Sequence, residues 1–430
     1  ALPAIQSDLS ISSSNLQWVF NAYVVVLAGL LLLGGKLADI FGQRRIFLTG
    51  FAILTGASLA AGLAQSGEAL FAARGAMGLG AALIAPSALS MLFGIFGSRP
   101  HELGKALAFF GAAAPAGGTA GVFLGGVITE WMDWRWTFLI NIPVGLLVLA
   151  VTSSLLPAGI RRGGRLDIIG ALVVTAAMII GVYGVVTAPD TGWGSTQTIS
   201  LLGGAAGLLA AFVVIEGVQK EPLVRLGIFR APNLSAGNIA MALLGAAWIP
   251  LWFFLNLYLQ QVLGYGAFES GLALLPMTGA IMLLMVAATG RLTAIFGIKL
   301  NIAAGMVFLV AALLLLAQTP TDGEFLLHVL PASLLAAVGM SFAYIPAMIA
   351  STASAPTEDS GLASGLVSTT YQVGSALGLA AMTAVAQSYT NGTGLTDFND
   401  GFHAAFYGAA VVAVVGGLAA LAFIRTPRKG

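Results

Sequence analysis

Thirteen stretches of this chain are apolar for long enough to cross a hydrocarbon core about 30 Å thick, a crossing that takes about 20 helical residues. They fall near 15–36, 45–64, 70–96, 103–129, 137–156, 168–187, 199–215, 234–258, 270–290, 299–318, 327–349, 361–388 and 402–424. In hydrocarbon every backbone N–H and C=O must be satisfied internally, and a single run of this length does so as an α-helix. An all-α polytopic membrane protein is therefore expected. Composition agrees: of 430 residues 58% are hydrophobic and 8% charged, against about 25% charged in a soluble domain. So few charges cannot clothe a water-facing surface.

Cations collect in every second connection: Lys36, Arg44 and Arg45; Arg99 and Lys105; Arg161, Arg162 and Arg165; Lys220, Arg225 and Arg230; Arg291 and Lys299; Arg425, Arg428 and Lys429. These are 16 of the 18 lysines and arginines, the others being Arg135 in an outer loop and Arg74 inside a span. Cationic loops stay cytoplasmic, so the C-terminus is expected in the cytoplasm and residues 6–14 outside. One miscounted helix would break the alternation. The expected address is the plasma (inner) membrane, multi-pass. A formal charge of +1 leaves no basic face for nucleic acid, and the absence of cysteine removes disulfides and thiolate chemistry. His101, His328 and His403 are scattered near span ends and are expected at the interface. No metal site, cofactor or enzyme chemistry is expected.

An internal repeat is present. GKLADIFGQR at 35–44 and GRLTAIFGIK at 290–299 match at an offset of 255 residues, as in parallel halves of a transporter related by an axis along the membrane normal. Two complete helices of its half precede the second copy, but one precedes the first. Shifted by 255, the counterpart of 234–258 falls at −21 to 3. Ala1 to Ile5 are therefore expected to be the tail of a first helix lying upstream, which makes fourteen helices in a six, two, six plan. The expected divisions are an N-terminal bundle at 1–156, a connecting region with two additional spans at 157–233, and a C-terminal bundle at 234–430.

The loop GGKLADIFGQRR at 34–45 resembles the signature loop of the major facilitator superfamily. Gly35 permits tight packing, Gly42 a turn of positive φ, and Asp39 can accept from a helix N-terminus or pair with Arg44 or Arg45. The resemblance implies a cytoplasmic latch; Ile40 and Gln43 stand where the family usually has arginine. RGAMGLGAA at 74–82 resembles the family's second motif, with Met77 in place of the usual glutamine. An arginine within a span marks function by default, and the resemblance implies that Arg74 assists proton exchange; the plainer reading is snorkelling to the outer interface. Gly117, Gly121 and Gly125 form a smooth stripe. It resembles the antiporter motif of the superfamily's exporters, with Val122 where proline usually follows glycine, and implies a slidable helix contact; static packing is the alternative. TEWMDWRWTFLINIPVG at 129–145, EPLVRLGIF at 221–229 and GLASGLVSTTYQVGSALG at 361–378 narrow the resemblance to the fourteen-helix drug/proton antiporters.

That resemblance implies a monomeric exporter of hydrophobic or cationic drugs, with protons and a small-molecule substrate as partners and a central cavity lined by the first, fourth, seventh and tenth core helices. Trp248, Trp252 and Asn256 share one face of a span at spacing four, and Met340, Tyr344 and Met348 share another. Their aromatic and thioether groups suit bulky amphipathic ligands, although such stripes also serve as ordinary packing. Pro250 is expected to break its helix beside the two tryptophans. No Asp or Glu lies at the middle of a complete span. The coupling acid is accordingly expected upstream of Ala1, with Glu130 the weaker candidate. A lipid or endogenous-metabolite exporter and a membrane sensor on a transporter scaffold are the competing readings.

Overall fold

Each predicted span coincides with a helix in the computed structural model, which describes residues 2–11, 16, 18–156, 167–219, 222–356, 359–390, 392 and 394–425. In chain order these are α1 Leu2–Leu9, α2 Trp18–Phe41, α3 Gln43–Gly62, α4 Gly67–Phe96, α5 Pro100–Trp131, α6 Asn141–Leu155, α7 Ile168–Thr191, α8 Thr196–Val218, α9 Leu234–Leu257, α10 Ala267–Leu284, α11 Gly290–Leu316, α12 Leu330–Thr352, α13 Ser360–Tyr389 and α14 Leu395–Phe423. No strand occurs among the described residues. Among the described residues ten helical stretches are long and apolar enough to cross a membrane. One of them, Phe268–Leu316, is 49 residues long, more than twice the length a span needs. It joins α10 to α11 through a π-helical turn at Met285–Thr289 and is interrupted at Gly297, whose φ is 79°. Gly42, the matching residue of the first repeat copy, has φ 94° and separates α2 from α3. Both copies of the repeat therefore turn on a glycine in a conformation that side chains with a Cβ disfavour.

Contacts sort the chain into two compact units: 1–95 with 124–228 and 356–369, and 96–123 with 229–355 and 370–430. Helices α7 and α8, which the sequence suggests as a connecting region, group with the first.

Within the first unit, α7 and α8 form a hairpin. Gly192, with φ 90°, ends α7. Ser195 caps α8 by accepting from Thr198 N at 3.1 Å, and the Thr191 and Thr198 hydroxyls are bonded at 2.9 Å. The hairpin lies against α2 through Val25, Ala28 and Val182, with Trp18 stacked on Tyr183 at 5.5 Å between ring centroids. Ile5 of α1 is buried with Ile11, Leu70, Met77, Trp134 and Phe138.

Within the second unit, α13 crosses α9 on two glycines. A Cβ added to Gly374 would stand 2.1 Å from the Ala242 oxygen, and one added to Gly378 would stand 2.2 Å from the Ala246 oxygen. Backbones approach this closely only where no side chain intervenes. The expected break at Pro250 does not occur: α9 runs from Leu234 to Leu257 with Pro250 inside it. Pro250 has no N–H to give to the carbonyl four residues back, and that carbonyl belongs to Ala246. Its helical partner is missing, and it lies against Gly378. The start of α9 is tied down as well, since Asn233 donates to Arg425 O at 2.9 Å and accepts from Arg425 N at 2.7 Å.

Gly378→Ala is expected to destabilise the protein by about 1–3 kcal/mol, because the new methyl overlaps a backbone oxygen. Gly117→Ala, whose Cβ would meet no described heavy atom within 4 Å, is expected to change stability by no more than about 0.5 kcal/mol. Thermal unfolding of the two purified variants in one detergent separates them.

Candidate functional site

Asp39 sits near the end of α2, one turn before Gly42, and is 6% exposed. Its carboxylate accepts two backbone hydrogen bonds from the first turn of α13: Gly361 N to Oδ1 and Leu362 N to Oδ2, each 2.8 Å. Helix N-termini leave such N–H groups without intrahelical partners and carry partial positive charge, so a buried carboxylate is well held there. Two glycines make the approach possible, since a Cβ on Gly35 would lie 2.3 Å from the Gly361 oxygen and one on Gly361 would lie 2.4 Å from the Gly35 oxygen. The helix N-terminus is one of the two partners the sequence allows Asp39. Ser90 and Ser360 add a hydroxyl pair at 3.0 Å. Arg45 is exposed and Arg44 half-buried. The second repeat copy has Ala294 where the first has Asp39, so it lacks this charged contact.

Arg74, on α4, is half-buried. Its Nε donates to the Val19 carbonyl at 2.6 Å, and Nη1 lies 3.9 Å from Met77 Sδ. The guanidinium stands 4.7 Å from the Tyr23 ring centroid and 5.8 Å from that of Phe138. Desolvated cation–π contacts of this kind are worth up to about 2 kcal/mol. The side chain is therefore turned into the protein and is not snorkelling. Among the described residues no carboxylate forms an ion pair with it. At the end of the first unit that carries α1, Arg135 pairs with Asp8 at 2.8 Å and with Asp133 at 3.3 Å, while Trp134 Nε1 donates to Asp8 at 3.1 Å. Glu130 falls within α5, but its side chain lies outside the described residues.

A Cβ on Gly117, Gly121 or Gly125 would meet no described heavy atom within 4 Å; small residues permit a close approach but do not by themselves supply the partner. Elsewhere on α5, Thr119 is bonded to Thr278 of α10 within the second unit.

The two candidate cavity stripes also lie in the second unit. Trp248, Met340 and Met348 are buried, whereas Trp252, Asn256 and Tyr344 are half-buried. Asn256 accepts from Gln260 at 3.3 Å. Tyr344 meets Tyr371 of α13 edge to face at 5.6 Å, and the Thr370 hydroxyl donates to Asn238 Oδ1 at 2.9 Å. Tyr371 and Thr370 lie within the GLASGLVSTTYQVGSALG segment, yet helical spacing alone does not single them out; nor does it single out Tyr23 and Phe138 beside Arg74. The half-buried His403, expected at the interface, shares a 2.8 Å hydrogen bond with the Thr319 carbonyl. No group of three or more His, Cys, Asp or Glu able to hold a metal occurs among the described residues.

Many apolar helices, a buried carboxylate clamped on a helix N-terminus and an arginine turned onto protein groups belong to a multi-pass membrane protein. The family model described as Major Facilitator Superfamily matches residues 1–379, and the chain belongs to that superfamily. It is 38% identical over 397 residues to a cephamycin export protein of Amycolatopsis lactamdurans, covering 91% of this chain and 82% of that one. It is 36% identical over 399 residues to a puromycin resistance protein of Streptomyces alboniger, covering 91% and 78%. A lincomycin resistance protein of Streptomyces lincolnensis is 34% identical over 418 residues, covering 96% and 86%. Among solved structures, the proton:xylose symporter XylE superposes with a TM-score of 0.67 at 13% identity, covering 97% of this chain and 89% of that one. The human organic anion transporter MFSD10 gives 0.66 at 16% identity, covering 97% and 88%. At these identities the two structures speak for the fold.

Asp39→Asn removes the charge and one of the two acceptors facing α13. It is expected to lower stability by about 1–2 kcal/mol, seen as a lower thermal midpoint in detergent, while Arg45→Gln leaves the midpoint nearly unchanged.

Proposed function

We propose that the protein is a secondary active exporter that moves hydrophobic or cationic drugs and other toxic small molecules out of the cell in exchange for protons, by alternating access. The observation that carries this reading is its similarity, at 34–38% identity, to antibiotic export and resistance proteins in alignments that cover more than nine-tenths of the chain. Arg74 supports the coupling half. A fixed cation held by a carbonyl, a sulfur and two ring faces keeps its charge free to bias a proton or a cargo nearby, where a salt bridge would neutralise it. The half-buried Trp252, Tyr344 and Asn256 are the side chains assigned to cargo contact, with Trp248, Met340 and Met348 packed behind them. Gly117, Gly121 and Gly125 are read as a slidable helix contact used as the transporter changes state. The reading includes a six, two, six helix plan divided at 1–156, 157–233 and 234–430, a cytoplasmic C-terminus in the plasma membrane, and a monomer.

A second reading, export of a lipid or endogenous metabolite, is favoured by one observation: no Asp or Glu occupies the middle of a complete span to recognise a cation. Proteoliposomes holding the full-length protein, given an imposed pH gradient and a cationic dye, decide between them. Gradient-driven dye movement is expected, reduced about tenfold or more in Arg74→Ala and restored in part by Arg74→Lys. Dye movement indifferent to the gradient would remove proton coupling, and no dye movement beside active lipid movement would favour the second reading.

A further inference from the structure

Asp167 and Glu216 are buried together at the end of the α7–α8 hairpin opposite its Gly192 turn. Asp167 is the N-cap of α7 and Glu216 belongs to the last turn of α8; they are 5% and 4% exposed. One oxygen of each is well satisfied. Asp167 Oδ1 accepts from Gly170 N at 2.9 Å and from Gln219 Nε2 at 3.1 Å, and Glu216 Oε2 accepts from Val224 N at 2.9 Å. The other two, Asp167 Oδ2 and Glu216 Oε1, are buried without a donor among the described residues. Both lie beside Gly170, where an added Cβ would stand 2.5 Å from Asp167 Oδ2 and 2.4 Å from Glu216 Oε1. The two carboxyl groups are within hydrogen-bonding reach of each other.

An ionised carboxylate only accepts hydrogen bonds. Two of them turned toward each other out of water combine the cost of burying charge with like-charge repulsion. A proton held between them removes both costs at once, because one group becomes the donor that the other lacks. Charge balance agrees. The charged groups acting on Glu216 among the described residues are Asp167 and Lys36 of α2, and the Lys36 ammonium lies 3.4 Å from the Pro222 carbonyl. One ammonium and two carboxyl groups sharing one proton are neutral in sum.

We propose that Asp167 and Glu216 form a proton-binding site that carries one shared proton at neutral pH and fastens the 222–224 segment to the ends of α7 and α8. When the proton leaves, repulsion falls on the group that holds Val224 N, and the chain running toward the 3₁₀ turn at Leu226–Arg230 is loosened. The pair includes none of the residues assigned to proton coupling or to cargo contact.

The test uses the purified full-length protein. Infrared spectra at neutral pH are expected to contain a protonated-carboxyl band that disappears on alkalinisation and is missing from both Glu216→Gln and Asp167→Asn. Since the folded chain keeps a proton that the unfolded chain gives up, the wild-type thermal midpoint is expected to fall as pH rises through release of that proton. In Glu216→Gln, whose amide supplies a permanent donor, that fall is expected to flatten. The idea is overturned if the wild type has no such band at neutral pH, which requires no variant to fold, or if the band persists in both variants. A wild-type midpoint raised by sodium or calcium with no carboxyl band would assign the pair to a metal cation and overturn it equally. None of these readings involves transport, so a failed efflux assay leaves the result standing.

Discussion

Helices within hydrocarbon gain nothing by hiding apolar side chains from water, since lipid tails are as apolar as leucine. What holds them together is close backbone approach and the hydrogen bonds that such closeness allows. At the crossing of α13 on α9, Gly374 and Gly378 set the backbone of one helix against the carbonyls of the other. Within the first unit, Gly35 and Gly361 do the same, and the Asp39 contact depends on them. A carboxylate carried on a short side chain reaches two N–H groups of a neighbouring helix only when nothing larger than hydrogen lies between the backbones. The glycines set the distance, and the electrostatics follow from it.

Three of the buried or half-buried charged sites described in the first unit are met in physically distinct ways. Asp39 is met by backbone donors. Arg74 is met by a carbonyl, a sulfur and two ring faces, all of them neutral. Asp167 and Glu216 have each other, Lys36 and a set of amide donors. Only the last sets two carboxyl groups toward each other, one oxygen of each lacking a donor among the described residues.

The helices and the turns between them were legible in the sequence, because span length and the cation alternation are properties of local composition. Gly42 was legible for the same reason, since it follows the end of α2; Gly297 stands at the same place in the second repeat copy. The Asp39 contact was half legible, since the sequence offers it a helix N-terminus but does not say which. Arrangements made by residues from distant segments were not. Tyr23 and Phe138 converge on Arg74 from different helices, and Glu216 meets Asp167 only because the hairpin folds back. At Gly117, Gly121 and Gly125 the spacing names a stripe but not the helix it would meet. Pro250 misled, because a helix held by neighbours on several sides continues through a missing hydrogen bond.

That missing bond does not by itself account for the glycine beside it. The carbonyl released by Pro250 lies against Gly378, on a helix more than a hundred residues away. A residue with an N–H at position 250 would give the Ala246 carbonyl a helical partner, yet a side chain at 378 would still stand 2.4 Å from the Ala246 Cα and 2.7 Å from its carbonyl carbon. Glycine at 378 is thereby demanded by the path of α9 itself, whichever residue occupies position 250.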